Sequence, residues 1–228
     1  MTTSAFILIP GAGGDAFYWH RVVPLLHDAG HEAVAVGLPA GEEGAGLAEY
    51  ADAIAGAIGD RDDVVLVAQS MGAYSAPMAA ARAGVSRIAL VAPMIPAPGE
   101  SADEFWRATG QDEARRALAV AEGRDPDAPF DLHEMFLHDV PPDVIERLFA
   151  EGDTRDEGKS FDDPWPLDTW PDIPTSVIAG ARDRLFPLEY MRRVARDRLG
   201  LEEVTVIDSG HLPALSRPEE LVRAILAA

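Results

Sequence analysis

The chain predicts an α/β protein, a minimal six-stranded parallel sheet with helices on both faces. Two patterns carry that expectation. Apolar, largely β-branched runs recur near 5–9, 32–37, 63–68, 86–92, 175–180 and 203–208, and helical stretches separate most of them. Strand and helix in alternation build the crossover units of a doubly wound parallel sheet. A third observation sits after the third run, where Ser70 occupies the middle of Ala68-Gln69-Ser70-Met71-Gly72. A strand that turns at once into a helix needs almost no side chain two residues before and two after the turning residue, and Ala68 and Gly72 meet that demand.

The first run, Phe6-Ile7-Leu8-Ile9, leads into Pro10-Gly11-Ala12-Gly13-Gly14, whose glycines let backbone N–H groups turn toward a ligand. The loop carries neither the Lys-Ser/Thr of a P-loop nor the spacing Gly-x-Gly-x-x-Gly, so a phosphate cradle fits it poorly. A helix is expected from about Phe17 to Ala29, and Gly37 to Gly46 reads as a mobile loop before a helix over Leu47–Ile58. Another follows Ser70 over Met71–Ala83, and the last two run from Leu188 to Leu199 and from Pro218 to Ala227.

By itself, small-x-Ser-x-small also describes an ordinary helix N-cap. The rest of the chain separates the two readings. A serine hydroxyl is a weak nucleophile at neutral pH and needs a base, which in turn needs an orienting acid. Thr175–Gly180 reads as a strand opening into Ala181-Arg182-Asp183, and Val204–Asp208 as a strand opening into Ser209-Gly210-His211. Reacting groups gather outside the carboxyl ends of strands in open parallel sheets, so these loops converge on one edge. Ser70 is therefore the expected nucleophile, His211 the base and Asp183 the orienting acid, in the chain order Ser, Asp, His of an α/β-hydrolase. The Ala12 and Met71 N–H groups are expected to form the oxyanion hole. Asp208 is nearer to His211 in sequence, but it ends a strand and ranks below Asp183.

The stretch Pro10-Gly11-Ala12-Gly13-Gly14-Asp15-Ala16-Phe17-Tyr18-Trp19, with Val22-Val23-Pro24-Leu25-Leu26 and Ala29-Gly30-His31, resembles the α/β-hydrolase branch of plant methylesterases, hydroxynitrile lyases and bacterial esterases. Phe136-Leu137-His138-Asp139-Val140, Trp170-Pro171-Asp172-Ile173-Pro174-Thr175 and the run from Gly210 to Leu221 are similar to the same branch. The resemblance spans nearly the whole chain and implies the same roles for Ser70, His211, Asp183, Ala12 and Met71. Three departures limit it. Pro10-Gly11 stands where the branch usually has His-Gly, and Gln69 where it often has His. Ala12 and Leu212 occupy the positions at which lyase members resemble one another in a threonine and a lysine, which argues against cyanohydrin cleavage.

The excursion between Pro93 and Trp170 has a different texture, with Pro96, Pro98 and helical stretches near Ala102–Thr109, Asp112–Ala121 and Pro142–Ala150. It reads as a small helical cap, over about 95–168, inserted before the acid-bearing strand of a single domain spanning 1–228. Insertions on a rigid scaffold usually carry specificity. Phe17, Trp19 and Met94 are expected as pocket walls, joined by Phe105, Phe136 and His138 from the cap, although most cap aromatics are expected to bind cap to sheet. His20, His27, His31 and His133 lack the paired spacing of a metal site, so no metal is expected, and the triad chemistry calls for no organic cofactor.

With 228 residues, 47% of them hydrophobic, the chain can build one sizeable core, and it has no cysteine for disulfides or thiolate chemistry. Its formal charge of −20 repels nucleic acid and anionic membrane surfaces. A leader-like start and a membrane-length apolar run are both missing from the sequence, so a cytoplasmic location is expected. The expected partner is a small ester, with a homodimer left open. These expectations converge on a serine carboxylesterase for small, moderately hydrophobic esters. A lyase, an acyltransferase and a ligand receptor with a vestigial triad would each carry the same constellation.

Overall fold

A computed structural model describes residues 4–81, 84–155 and 158–228. Six strands, β1 (Ala5–Ile9), β2 (Glu32–Ala35), β3 (Val64–Gln69), β4 (Val85–Val91), β5 (Thr175–Gly180) and β6 (Thr205–Ile207), pair in parallel throughout in the order β2-β1-β3-β4-β5-β6. The chain moves outward from β1 to β2 and then returns to place β3 on the other side of β1. That reversal makes a switch point between β1 and β3, where the two connections depart in opposite directions and leave a crevice at the carboxyl ends. The loop ending in Gly14 and the turn at Ser70 both open onto it.

Side chains alternate across the sheet, so each strand feeds two cores. Ile7, Ile9, Leu66, Ala68, Leu90 and Val177 face one side with α2 (Leu47–Ile58), α3 (Gly72–Ala80) and α8 (Leu188–Leu199). Phe6, Leu8, Val65, Val67, Val91 and Ile178 face the other with α1 (Val22–Asp28), α9 (Pro213–Ser216) and α10 (Pro218–Ala227). Burial on both faces accounts for strands that are apolar without a polar alternation.

The helix expected over Phe17–Ala29 is instead two pieces, a 3-10 turn over Ala16–Trp19 and α1 from Val22. Pro24 explains the break. In a helix begun at Phe17 it would lie in the interior and block a backbone hydrogen bond, whereas in α1 it falls in the first turn, where no N–H is required. Of the helix expected over Met71–Ala83, the structure shows α3, and positions 82–83 lie outside the described residues. Every residue of α3 is buried, as its run of glycine and alanines allows.

Between β4 and β5 the chain forms α4 (Ala102–Thr109), α5 (Gln111–Ala121), a wider π-type turn over His133–Leu137, α6 (Pro142–Glu151) and α7 (Lys159–Asp162). This insertion is rooted in both cores, through Ala102, Phe105, Met135 and Trp165 on one side and Leu137, Val140 and Val144 on the other. Asp15 fastens it to the loop after β1. One carboxylate oxygen caps the 3-10 turn by accepting from the Phe17 amide at 2.8 Å, and the other accepts from the Asp153 amide at 2.8 Å. Among the described residues no helix is long and apolar enough to cross a membrane.

Candidate active site

Ser70 holds a left-handed backbone conformation, φ 49°, that side chains rarely adopt. Its surroundings impose it. The Ser70 amide donates to the Val91 carbonyl at 3.0 Å, and its own carbonyl accepts from the Met94 amide at 3.0 Å and the Ala73 amide at 3.2 Å. A Cβ on Gly72 would stand 2.6 Å from the Pro10 carbonyl oxygen, so only glycine lets α3 approach the loop after β1 this closely. Ser70→Gly is expected to unfold about 1 kcal/mol less readily than Ser70→Ala, because glycine adopts positive φ without strain. Denaturant unfolding of the two variants measures this, and equal midpoints would show the turn to be unstrained.

The three loops predicted to converge do meet. His211 Nε2 lies 3.2 Å from Ser70 Oγ and His211 Nδ1 lies 2.8 Å from Asp183 Oδ2. The other Asp183 oxygen accepts from the Leu185 and Phe186 amides, each at 2.8 Å, which fixes the carboxylate. Because Asp183 offers only acceptors at these positions, Nδ1 carries the imidazole proton and Nε2 presents its lone pair to the serine hydroxyl. His211 is wholly buried and Ser70 is 8% exposed, so the hydrogen-bonded line is shielded from bulk water.

Two aromatic edges steady the imidazole. Phe186 follows the acid on its own loop and Phe136 comes from the π-type turn; each ring centre is 5.1 Å from that of His211, at 81° and 80°. Beyond Phe136, Phe130 stands 5.9 Å away and is mostly exposed, so an aromatic wall leads from the imidazole to the surface. Phe186 could not be picked out in the sequence, where nothing distinguishes it from a core aromatic.

Among the described residues the Ala12 and Met71 amides donate to no protein acceptor. Both flank the crevice at the switch point, and the Met71 amide opens the N-terminus of α3, whose dipole favours negative charge. Gln69, which departs from the branch, is buried and braces the site. Its amide nitrogen donates to the His211 carbonyl at 3.4 Å, and its Oε1 would lie 2.3 Å from a Cβ on Gly11. The side chain thus spans the turn at Ser70, the loop after β1 and the loop carrying His211.

The expected pocket residues divide. Phe136 flanks His211, as described. Phe17 is half-buried, stacked on His20 with ring centres 4.3 Å apart and covered by the Arg147 guanidinium at 5.4 Å. Met94 is enclosed, with its amide on the Ser70 carbonyl. His138 packs against Gly210, and burial together with the nearby Arg184 holds its imidazole below the ordinary histidine range. Trp19 and Phe105 lie deeper. Both are fully buried in the cores on opposite faces of the sheet, and the Phe105 ring centre lies 6.2 Å from that of Phe186. Their large rings fill the junction of cap and sheet, where apolar burial stabilises most. Among the described residues no cluster of three or more histidine, aspartate or glutamate side chains is placed to hold a metal ion.

A buried Ser–His–Asp line at the switch point of a parallel sheet defines a hydrolase architecture, and the chain belongs to the alpha/beta hydrolase family, whose model matches residues 6–224. It is similar to Methylesterase 7 of Arabidopsis thaliana, at 24% identity over 97% of this chain and 94% of the relative. Probable esterase PIR7A of Oryza sativa subsp. indica is 28% identical over 97% of this chain and 95% of its own. Among solved structures, a pyrethroid hydrolase from Sphingobium faniae JZ-2 superposes with a TM-score of 0.76 at 23% identity, over 99% of this chain and 97% of that one.

Proposed function

We propose that this chain is a serine carboxylesterase for small, uncharged, moderately hydrophobic esters. The observation that carries the reading is the continuous line from Ser70 Oγ through His211 to Asp183, set beside the unengaged Ala12 and Met71 amides. The names of the similar proteins, a methylesterase, a probable esterase and a pyrethroid hydrolase, support ester bonds as the target.

His211 Nε2 removes the Ser70 proton as the oxygen attacks the ester carbonyl, at a separation within reach of general-base catalysis. The carbonyl oxygen gains negative charge as the carbon becomes tetrahedral, and the Ala12 and Met71 N–H groups receive it. Asp183 stabilises the imidazolium, which gives its proton to the departing alcohol. Water then enters, loses a proton to the same histidine and cleaves the acyl-enzyme, returning the proton to Ser70. The ring of Phe136 beside His211 supports an apolar acyl or alcohol group, since it offers apolar surface next to the imidazole.

Hydrolysis of nitrophenyl acetate, butyrate and octanoate, with titration of active sites to count turnovers, tests the proposal. Sustained turnover that peaks at one chain length is the expected result and sizes the pocket. A single burst equal to the enzyme concentration, or no nitrophenol at all, would replace the esterase reading with a receptor or a non-hydrolytic enzyme.

A further inference from the structure

We infer that Asp139, in the cap, is a positioning residue for the base His211. The inference rests on the esterase reading for the role of His211, and its geometry is independent of that reading. Asp139 lies 71 positions before Gly210, yet its Oδ2 accepts from the Gly210 amide at 2.7 Å, immediately before the histidine. This is a short, charge-assisted hydrogen bond to backbone.

The histidine loop is held by its polar groups, and Asp139 supplies the hold from the cap. The Ser209 carbonyl accepts from the Arg182 amide at 2.9 Å, the Gly210 carbonyl from Ser209 Oγ at 3.1 Å, and the His211 carbonyl from Gln69 at 3.4 Å. A Cβ on Gly210 would lie 2.6 Å from Asp139 Oδ1 and 2.9 Å from His138 Cε1. Glycine here lets the cap press onto the loop backbone, and the His138–Asp139 pair fills that space.

The burial of the carboxylate needs an explanation. The Asp139 side chain is 2% exposed, its nearest cation is Arg182 at 3.9 Å, and its Oδ1 has no partner among the described residues. Enclosing a carboxylate this sparsely paired is unfavourable, and a well-packed apolar residue would stabilise the cap better. What an apolar residue could not do is hold the Gly210 amide. Loss of that bond frees the backbone next to His211, and His211 Nε2 must stay within reach of Ser70 Oγ, now 3.2 Å away.

The test compares the wild type with Asp139→Ala and Asp139→Asn, the latter retaining a carbonyl oxygen to accept from Gly210. Asp139→Leu, with the same branched heavy-atom skeleton and without an acceptor, takes the place of the alanine variant if that one does not fold. Two rates are read: turnover of nitrophenyl butyrate, and covalent labelling of Ser70 by a fluorophosphonate, which needs His211-assisted attack and no ester turnover. Asp139→Ala is expected to lower kcat and the labelling rate by about 10- to 100-fold, the scale of a misplaced catalytic group, with little change in KM. Asp139→Asn should recover most of both.

A rise in KM alone, an unchanged labelling rate in Asp139→Ala, or an asparagine variant as slow as alanine would overturn the inference. A wild type that labels without turning over would remove the esterase reading and leave Asp139 judged by the labelling rate.

Discussion

Ser70→Ala is expected to abolish ester turnover, with a fall in kcat on the order of 10⁶-fold, the scale reached when the nucleophile is removed from a serine hydrolase. The structure explains why nothing nearby takes over. Ser75, at the start of α3, gives its hydroxyl proton to the Gly72 carbonyl at 3.3 Å instead of to a base. The lone pair of His211 Nε2 faces Ser70 Oγ. Removing that oxygen leaves the Ala12 and Met71 amides and the aromatic wall in place, so substrate should still bind, with a residual rate above water of about 10³- to 10⁴-fold. Steady-state kinetics on nitrophenyl butyrate, with circular dichroism to verify folding, measures the effect. An alanine variant that turns over at the wild-type rate would place the nucleophile elsewhere in the chain.

Asp183→Asn should be nearly as damaging, with kcat lower by about 10⁴-fold, because it would reverse the imidazole tautomer. Asp183 Oδ1 takes two backbone amides, so an asparagine must put its carbonyl oxygen there and turn its NH₂ toward His211. The histidine then has to accept at Nδ1 and carry its proton on Nε2, facing Ser70 with a donor where an acceptor is needed. The volume is unchanged and the two Oδ1 bonds survive, so stability should move far less than activity. Fluorophosphonate labelling beside thermal unfolding separates the two effects. If the variant loses stability in proportion to activity, Asp183 serves mainly to hold its loop; if activity persists, the base is oriented by another group.

Much of this architecture is legible in the sequence because it depends on local rules. Five apolar residues at Ala5–Ile9 make a strand buried on both faces, and Gly72 two places after Ser70 marks a turn that tolerates no side chain. The order of Ser70, Asp183 and His211 follows from the loops that end three parallel strands, and those loops share an edge whatever the details of packing. The helix expected over Phe17–Ala29 passed over such a local rule, since the missing N–H of Pro24 forbids a continuous helix from Phe17.

The remainder arises from contacts between distant segments, for which composition and periodicity carry no signal. A buried tryptophan and a pocket tryptophan look alike in a sequence, and only the packed cores place Trp19 and Phe105 inside. Gln69 looks like a loss of polarity until its side chain is seen to reach both the His211 carbonyl and Gly11. Asp139 lies in a stretch that resembles the branch, but that likeness does not tie it to Gly210, and the contact exists because the insertion between β4 and β5 folds back over the sheet edge. The sequence alone therefore determines the strands, the turn that presents Ser70 and the chain order of the reacting groups, since backbone sterics and hydrophobic periodicity act over a few residues. Tertiary structure alone decides which aromatic rings flank His211 and how the segment carrying Asp139 meets the Gly210 amide, because each depends on where a segment tens of residues away comes to rest.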